Sequence, residues 1–360
     1  MTEYKSRREN VPPLFEPRWG SRTPKGLLYH YTSLEGFLGI IESDCLRATH
    51  IRYMNDSKEF IDALEHLDDF LDEFDKGAIP ALRSFLHSKL SSFLHSAVPV
   101  LSGRLGPYII SFTDDEAQAS TPEQIPGDRL SQWRAYSGHS KGFSLGFDCC
   151  ALDASGQGNT WVVRDSMAYM VDCLYSKADK RNVFQGAGEL MAAEVLRVLN
   201  FTESDASSSD PSGNSDISQP HELSGDHSPE IASMRRNLLF ALLINASTFK
   251  DPAYSEEREW RIVLNLSSSE SLDDKVSNAN RIPVKFRGGI LGVTPYVEFP
   301  LGLTQPTSPL RKIVVGPTPH MDQAVRSVQM LLQDRGIKLK IKDEPQGVEV
   351  IASQIPYRNW

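Results

Sequence analysis

Short apolar segments of strand length are the feature of this sequence that most restricts its fold. They are residues 27–31, 108–113, 141–148, 169–175, 259–265, 281–286, 295–299, 312–317, 337–341 and 348–353. Helical patterns separate the first few of these segments, whereas several later ones follow one another without a helix between them. The chain therefore lacks the regular strand–helix alternation that a doubly wound parallel sheet requires. The pattern predicts a mixed α+β domain.

Apolar residues at helical spacing predict the helices of the chain. The first helix begins near Ser33, and Thr32 and Glu35 fit a capping box in which Thr32 is the N-cap. Further helices are predicted near residues 60–74, 82–94, 130–136, 186–200, 230–249 and 321–334. The last of these lies between the strand segments 312–317 and 337–341, and the three together predict a βαβ-like end.

The chain has two segments of unusual composition. Residues 1–26 are polar and hold several prolines, so they predict an irregular N-terminal arm. Residues 27–358 predict a single α+β domain. Within it, residues 203–229 are dominated by Ser, Asp, Gly and Pro and offer too little apolar area to offset the entropy lost on ordering. We predict a disordered insertion there.

Composition narrows the functional classes. No apolar run approaches the roughly 20 residues that cross a bilayer, and the N-terminal MTEYKSRREN lacks the apolar core of a signal peptide. A cytoplasmic protein with no membrane partner is predicted. The net charge of −9 weakens general attraction to nucleic acid. The 4 cysteines form no CxxC pair, which favours reduced thiols over disulfides or a zinc site. Neither dinucleotide-binding nor P-loop glycine motifs occur.

Two candidate site segments lie near the N-terminus. In the first, His30 is followed by Tyr31 and Thr32 where a strand ends and a helix begins. Unpaired N–H groups at a helix N-terminus favour an anionic ligand there; the alternative is a histidine satisfied by a neighbouring backbone group. In the second, the turn at Asn55 either caps the following helix or lines a pocket in which Asn55 orients a substrate.

Two further candidate segments lie later in the chain. Ser111 belongs to an apolar strand, and Trp133, Arg134 and Tyr136 form a group that suits a flat ligand through stacking and cation–π contact. Ordinary core packing of Trp133 is the alternative.

The other late segment, Glu257-Arg258-Glu259-Trp260-Arg261, opens a strand. Alternation places Glu257, Glu259 and Arg261 on one side. A carboxylate there can bind a ribose hydroxyl or stabilise a cationic transition state. The alternative is a strand end whose charges only form salt bridges.

Several segments together resemble a bacterial family catalogued as domain of unknown function 2971, over roughly residues 27–358. They are LYHYTSLEGFLGIIES, LRATHIRYMNDSKEF, YIISFT, LSQWRAYSGHSKGFSLGFD, FKDPAYSEEREWRIV, KIVVGP and SQIPYR. A more distant resemblance is to ADP-ribosyltransferases, which carry a first-strand histidine, an aromatic or serine-containing middle motif and a late glutamate. His30, Ser111 with Tyr136, and Glu259 occur in that order.

The second resemblance implies a split sheet of mixed or antiparallel strands, with inserted helices, and NAD as a substrate with no metal. His30 would bind a ribose hydroxyl of the adenosine half of NAD, and Tyr136 or Tyr53 would stack on nicotinamide. Glu259 would stabilise the oxocarbenium character of the nicotinamide ribose. Glu257 would activate the acceptor nucleophile. The acceptor would be a nucleic acid or a protein, and a toxin or anti-phage role would imply a neutralising or defence-system partner protein.

Two other functional classes compete with this hypothesis. A metal-dependent nuclease or phosphoesterase would need Asp56, Glu59, Glu257 and Glu259 to converge on a divalent cation. A non-enzymatic module would bind a nucleotide or a partner protein with the same aromatic and arginine side chains. The transferase hypothesis predicts that the side chains of His30 and Glu259 face one cleft.

Overall fold

A computed structural model gives the structure of the protein for much of the chain. The described residues are 24, 26–54, 106–115, 124–137, 142–148, 160–163, 166–183, 245–265, 282–289, 292–342 and 345–356. The helices predicted near residues 60–74, 82–94 and 186–200, and the insertion at 203–229, lie outside them, as does nearly all of the predicted arm at 1–26.

The chain forms two compact units. The first contains residues 1–19, 58–105 and 174–249, and the second contains residues 20–57, 106–173 and 250–360. In the described part of the first unit, the amide of Leu174 donates to the carbonyl of Thr248 over 2.8 Å. The buried Lys180 places its ammonium 5.5 Å from the ring centroid of Phe249. The single domain predicted over residues 27–358 stays a prediction.

The second unit is built on one sheet of eleven described strands. They are β1 Leu27–Ser33, β2 Cys45–His50, β3 Pro107–Asp114, β4 Gly142–Asp148, β5 Thr160–Val163, β6 Ser166–Asp172, β7 Glu259–Asn265, β8 Lys285–Gly289, β9 Gly292–Pro300, β10 Leu310–Val315 and β11 Glu349–Ala352. The described helices of this unit are α1 Leu34–Ser43, α2 Leu130–Tyr136 and α3 Met321–Asp334, with 3-10 turns at Ile51–Tyr53 and Pro252–Glu257.

Strand β3 is where the sheet divides. Along one edge it pairs with β7 from Pro107 to Thr113. Along its other edge it pairs first with the end of β2, at Tyr108 and Ile109, and then with the start of β1, at Thr113 and Asp114. Two different strands therefore share one edge of β3, and they diverge beside its middle. This geometry confirms a mixed α+β fold with an open sheet.

The remaining strands extend the two arms of the division. One arm runs β1–β4–β10–β11, and the other runs β2–β9–β8, while β7 continues into β6 and β5. All these pairings are antiparallel except β10 with β11, which are parallel and joined through α3. The parallel partner of β10 is thus β11 and not the predicted strand at 337–341, where only Leu339 forms an isolated bridge, to Val348.

The two faces of the sheet carry different layers. On one face, side chains such as Leu28, Phe112 and Trp260 form the main core with α1 and α3. Burying a large apolar side chain stabilises the fold by about 1.5–3 kcal/mol, so this layer dominates the stability of the unit. On the other face, the fully buried Trp133 of α2 packs with Tyr31 of β1. We call these the core face and the α2 face.

Local sequence signals located most of the described elements. The helix at 321–334 has the predicted bounds, and the strands predicted at 27–31, 108–113, 141–148 and 259–265 are present with small shifts. The cap of α1 needs correction: Ser33, not Thr32, is the N-cap, and its Oγ accepts from the amide of Gly36 over 3.1 Å. The strand expected at 281–286 begins at Lys285.

Candidate active site

A buried ion cluster lies where β7 begins. Glu259 is in register with Thr113 of β3, and Arg261 is in register with Ser111. Both charged side chains are almost completely buried, at 4% and 0% exposure. The Nε of Arg261 donates to Oε1 of Glu259 over 2.8 Å, and its Nη2 donates to Oε2 over 3.2 Å. This two-point contact fixes the carboxylate in one orientation.

Lys250 joins a second carboxylate to the first. Its ammonium donates to Oε2 of Glu257 over 2.5 Å and also to Oε2 of Glu259. A turn of 3-10 helix returns Glu257 to the lysine seven residues earlier. Asp251 caps this turn by accepting from the amide of Ala253 over 2.8 Å, and Arg258 ends it in the left-handed conformation with φ 45°. The turn and the ammonium together set the position of Glu257.

The charges of this cluster stabilise one another. Burial alone would raise the pKa of Glu259, but Arg261 and Lys250 lower it to about 2. Burial alone would lower the pKa of Lys250, but Glu259 and Glu257 raise it above its ordinary value. Glu259 and Lys250 are therefore charged at neutral pH. Two cations balance two carboxylates, so the cluster is neutral overall and the energetic penalty of burying each charge is offset.

Tyr136 completes the cluster from α2. Its hydroxyl donates to Oε1 of Glu257 over 3.0 Å, so the two oxygens of Glu257 face a phenol and an ammonium. Burial raises the pKa of Tyr136, and the nearby Glu257 raises it further. The phenol is consequently a neutral hydrogen-bond donor at neutral pH. Of the two carboxylates, Glu257 is the more accessible, with a side chain that is 12% exposed.

Ser111 carries an unsatisfied polar atom next to this cluster. Its Oγ is buried and has no hydrogen-bond partner within the described part of the chain. A buried hydroxyl without a partner costs about 1–3 kcal/mol. Ser111 is in register with Arg261, so both residues lie on the α2 face. A polar ligand group or a water molecule bound on this face would relieve the cost.

The structure corrects the predicted position of His30. Thr113 is in register both with Glu259 and with Tyr29, the residue before His30. Because side chains alternate along a strand, His30 points to the opposite face from Glu259. There its ring lies 5.9 Å from the ring of Phe112. The two side chains therefore do not face one cleft.

The His30 side chain instead forms a hydrogen bond at the point where β1 separates from β3. Its Nδ1 lies 2.9 Å from the carbonyl oxygen of Ser111, where β1 has already turned away from β3. Burial lowers the pKa of His30, the bond to Ser111 opposes this, and the charge of Arg287 lowers it further. The neutral imidazole donates from Nδ1 and replaces a missing ladder bond. The alternative reading, a histidine satisfied by the backbone, is the one the structure supports.

Two further predicted site residues, Trp133 and Tyr31, are buried. Trp133 is fully buried, its Nε1 donates to Oδ1 of Asp128 over 2.7 Å, and its ring meets that of Tyr31 edge-on at 4.9 Å. Tyr31 donates its hydroxyl to Asp115 over 3.2 Å and accepts from the amide of Arg129. Neither ring is accessible for stacking on a ligand, and both hold α2 against β1.

Three of the remaining predicted site residues lie in described segments of the chain. Thr32 packs against α1, where its Oγ1 occupies the space that a Cβ at Gly36 would need. Tyr53 is exposed, with its ring 5.7 Å from that of His50. Arg134 is exposed on α2. Asn55 lies outside the described residues.

Lys250 is the functional residue that sequence reasoning missed. It follows a predicted apolar helix, and its distance along the sequence from Glu257 and Glu259 does not indicate that its ammonium binds both carboxylates. Its position gives no other signal, because lysine is common near the C-terminus of a helix. Within the described residues, no group of three or more His, Cys, Asp and Glu side chains is placed to hold a metal ion.

Comparison with known protein families gives a match over part of the chain. The family described as protein of unknown function (DUF2971) matches residues 132–262, which include most of α2 and both cluster glutamates. The match confirms the family resemblance predicted from the sequence for this segment. No curated protein and no solved structure shows a significant match to the chain. Among the described helices, none has the length and apolar character needed to span a membrane.

Proposed function

We propose that the protein is an ADP-ribosyltransferase-like enzyme that uses NAD as its substrate. The observation that carries the proposal is the pair of carboxylates, Glu257 and Glu259, held on the shared ammonium of Lys250 beside the hydroxyl of Tyr136. The order of Ser111, Tyr136 and Glu259 along the chain, which resembles that of ADP-ribosyltransferases, supports it further.

The contacts of the two carboxylates suggest different roles for them. Both oxygens of Glu259 already accept hydrogen bonds from Arg261, and one also accepts from Lys250. Glu259 is therefore a positioning residue in this proposal. Glu257 keeps lone pairs beyond its bonds to Tyr136 and Lys250 and is more exposed, so it is the carboxylate that contacts substrate. This assignment moves the stabilisation of the oxocarbenium from Glu259, where the resemblance to ADP-ribosyltransferases implies it, to Glu257, which also keeps its implied role of activating the acceptor.

The chemistry follows from a carboxylate beside a developing cation. The bond between the ribose carbon and the nicotinamide nitrogen breaks, and its electron pair neutralises the pyridinium nitrogen of the leaving nicotinamide. Glu257 stabilises the oxocarbenium character that develops on the ribose. The acceptor nucleophile then bonds to the same carbon and gives its proton to Glu257 as a general base. A protein acceptor is favoured by the net charge of −9, which disfavours nucleic acid.

The metal-dependent alternative meets an obstacle at the same residues. The ammonium of Lys250 occupies the position between Glu257 and Glu259 that a divalent cation would have to take. Asp56 and Glu59, the other ligands this alternative requires, lie outside the described residues.

The test is nicotinamide release from labelled NAD by the full chain, with candidate acceptors supplied. We expect Glu257→Gln to lower the rate by about 10²-fold or more, the range typical of a lost general acid or base. Glu298→Gln is the matched control, because Glu298 is also a carboxylate bonded to a lysine, Lys285, over 2.7 Å. Absence of NAD turnover in the wild type, or equal rates in both variants, would contradict the proposal.

A further inference from the structure

Two arginines approach the same tyrosine on the β2–β9–β8 arm of the sheet. The guanidinium carbon of Arg47, on β2, lies 5.4 Å from the ring centroid of Tyr296, on β9. That of Arg287, on β8, lies 6.0 Å from the same centroid. Because β9 lies between β2 and β8, the buried Tyr296 ring brings together two cations from strands that do not pair with each other.

Among the described residues, these two cations have no neutralising acid. Within the described residues, no carboxylate lies at ion-pair distance from Arg47 or Arg287. Glu298 is the register partner of Arg47, but its carboxylate is bound by Lys285 over 2.7 Å. Although Arg287 as a whole is exposed, desolvation of its guanidinium and the charge of Arg47 lower its pKa. Like charges held close together favour binding of an anion between them.

The surroundings of the pair are shaped for a ligand. The Nη2 of Arg287 donates to Oγ1 of Thr49 over 2.8 Å, which leaves the hydroxyl hydrogen of Thr49 available for another acceptor. Helix α1 makes room for the other guanidinium, because a Cβ at Gly39 would lie 2.8 Å from Nη2 of Arg47. Both guanidinium positions are therefore determined by their neighbours.

We propose that Arg47 and Arg287, with the hydroxyl of Thr49, form a binding site for the phosphate groups of a small molecule. Two planar guanidinium groups present several N–H donors in a geometry that matches phosphate oxygens, and two such groups suit a diphosphate better than a single phosphate. The site goes beyond the proposed function, because it uses different residues and requires no NAD turnover.

Isothermal titration of the full chain with inorganic pyrophosphate, ADP and AMP tests the site. We expect pyrophosphate and ADP to bind at least tenfold more tightly than AMP. Equal affinity for the first two identifies the diphosphate alone as the recognised group, whereas tighter binding of ADP identifies a nucleotide. Arg47→Gln and Arg287→Gln should each weaken binding at least tenfold. Lys340→Gln removes a cation that pairs with Glu349 on the other arm of the sheet, and it should leave binding unchanged.

A second variant separates charge from position. Gly39→Ala keeps both arginines, but its Cβ displaces the guanidinium of Arg47, so we expect it to weaken pyrophosphate binding several-fold. Alanine is favoured in a helix, so the thermal unfolding midpoint should stay close to that of the wild type. No binding of pyrophosphate or ADP by the wild type would overturn the proposal, as would undiminished binding by both arginine variants. Because no NAD is present, failure here is distinguishable from failure of the proposed transferase activity.

Discussion

Removing the charge of Glu259 should destabilise the second unit strongly. In the substitution Glu259→Gln, the buried Arg261 and Lys250 keep their positive charges, and only Glu257 remains to balance them. The magnitude follows from the pKa of Glu259, which is lowered from an ordinary 4.5 to about 2. At 1.36 kcal/mol per pKa unit this corresponds to about 3 kcal/mol, which agrees with the about 3–5 kcal/mol lost when one partner of a buried ion pair is removed.

The pH dependence of this contribution has a definite sign. A carboxylate whose pKa is lowered by folding binds fewer protons when folded, so its stabilisation is present above the unfolded pKa and is lost as the pH falls through the folded one. The free energy of unfolding of the wild-type protein should therefore fall by about 3 kcal/mol between about pH 5 and pH 2 because of Glu259. The Glu259→Gln variant should lack that part of the acid sensitivity.

Urea unfolding followed by tryptophan fluorescence measures both effects, since the buried Trp260 adjoins Glu259. The Glu298→Gln variant provides the reference, because its carboxylate forms only a partly exposed pair with Lys285. If Glu259→Gln unfolds at the same urea concentration as Glu298→Gln at pH 7, the cluster does not hold the unit together and the reasoning fails. Unchanged acid sensitivity of the variant would refute the pKa argument separately.

Three other substitutions have outcomes that follow from single contacts. Gly142→Ala should destabilise the protein by about 1–3 kcal/mol, the usual cost of overpacking. The reason is that a Cβ at this position would lie 2.6 Å from a backbone atom of Ser137. Thermal unfolding of the variant and the wild type measures the difference, and equal stability would contradict the prediction. Asp128→Ala should speed hydrogen exchange of the Gln354 amide, because this N–H donates to the Asp128 carboxylate over 2.7 Å. An exchange rate equal to that of the wild type would contradict this prediction. Tyr136→Phe should slow nicotinamide release, because it removes the hydrogen bond to Glu257. Its free energy of unfolding should stay within about 0.5–1.5 kcal/mol of that of the wild type, which is the contribution of one hydrogen bond. An unchanged rate of release would exclude a role for the phenol.

Local patterns in the sequence identified much of the fold. Alternation around Glu259 correctly predicted that Glu259 and Arg261 share a face, because the period of a strand is a local property. Apolar spacing placed α3 with its observed bounds for the same reason. The cap of α1 shifted by one residue because Thr32 and Ser33 are both good caps, and only the direction in which the chain leaves β1 selects Ser33.

The candidate site was less predictable because it depends on register between distant strands. Whether His30 faces Glu259 is decided by the pairing of β1 and β7 with β3, and a shift of one residue would reverse the answer. The position of Lys250 depends on a 3-10 turn that returns Glu257 to it. Neither fact is encoded in the spacing of residues along one segment.

An ionised Glu259 holds Lys250 and Arg261 in place at the start of β7. A carbon-13 NMR titration of glutamate carboxyls in the full chain measures this, with the Glu259 resonance assigned by its absence in Glu259→Gln. We expect that resonance to stay unchanged from neutral pH down to about pH 4, because the pKa is about 2. A titration midpoint at or above the ordinary value of 4.5 would contradict the account.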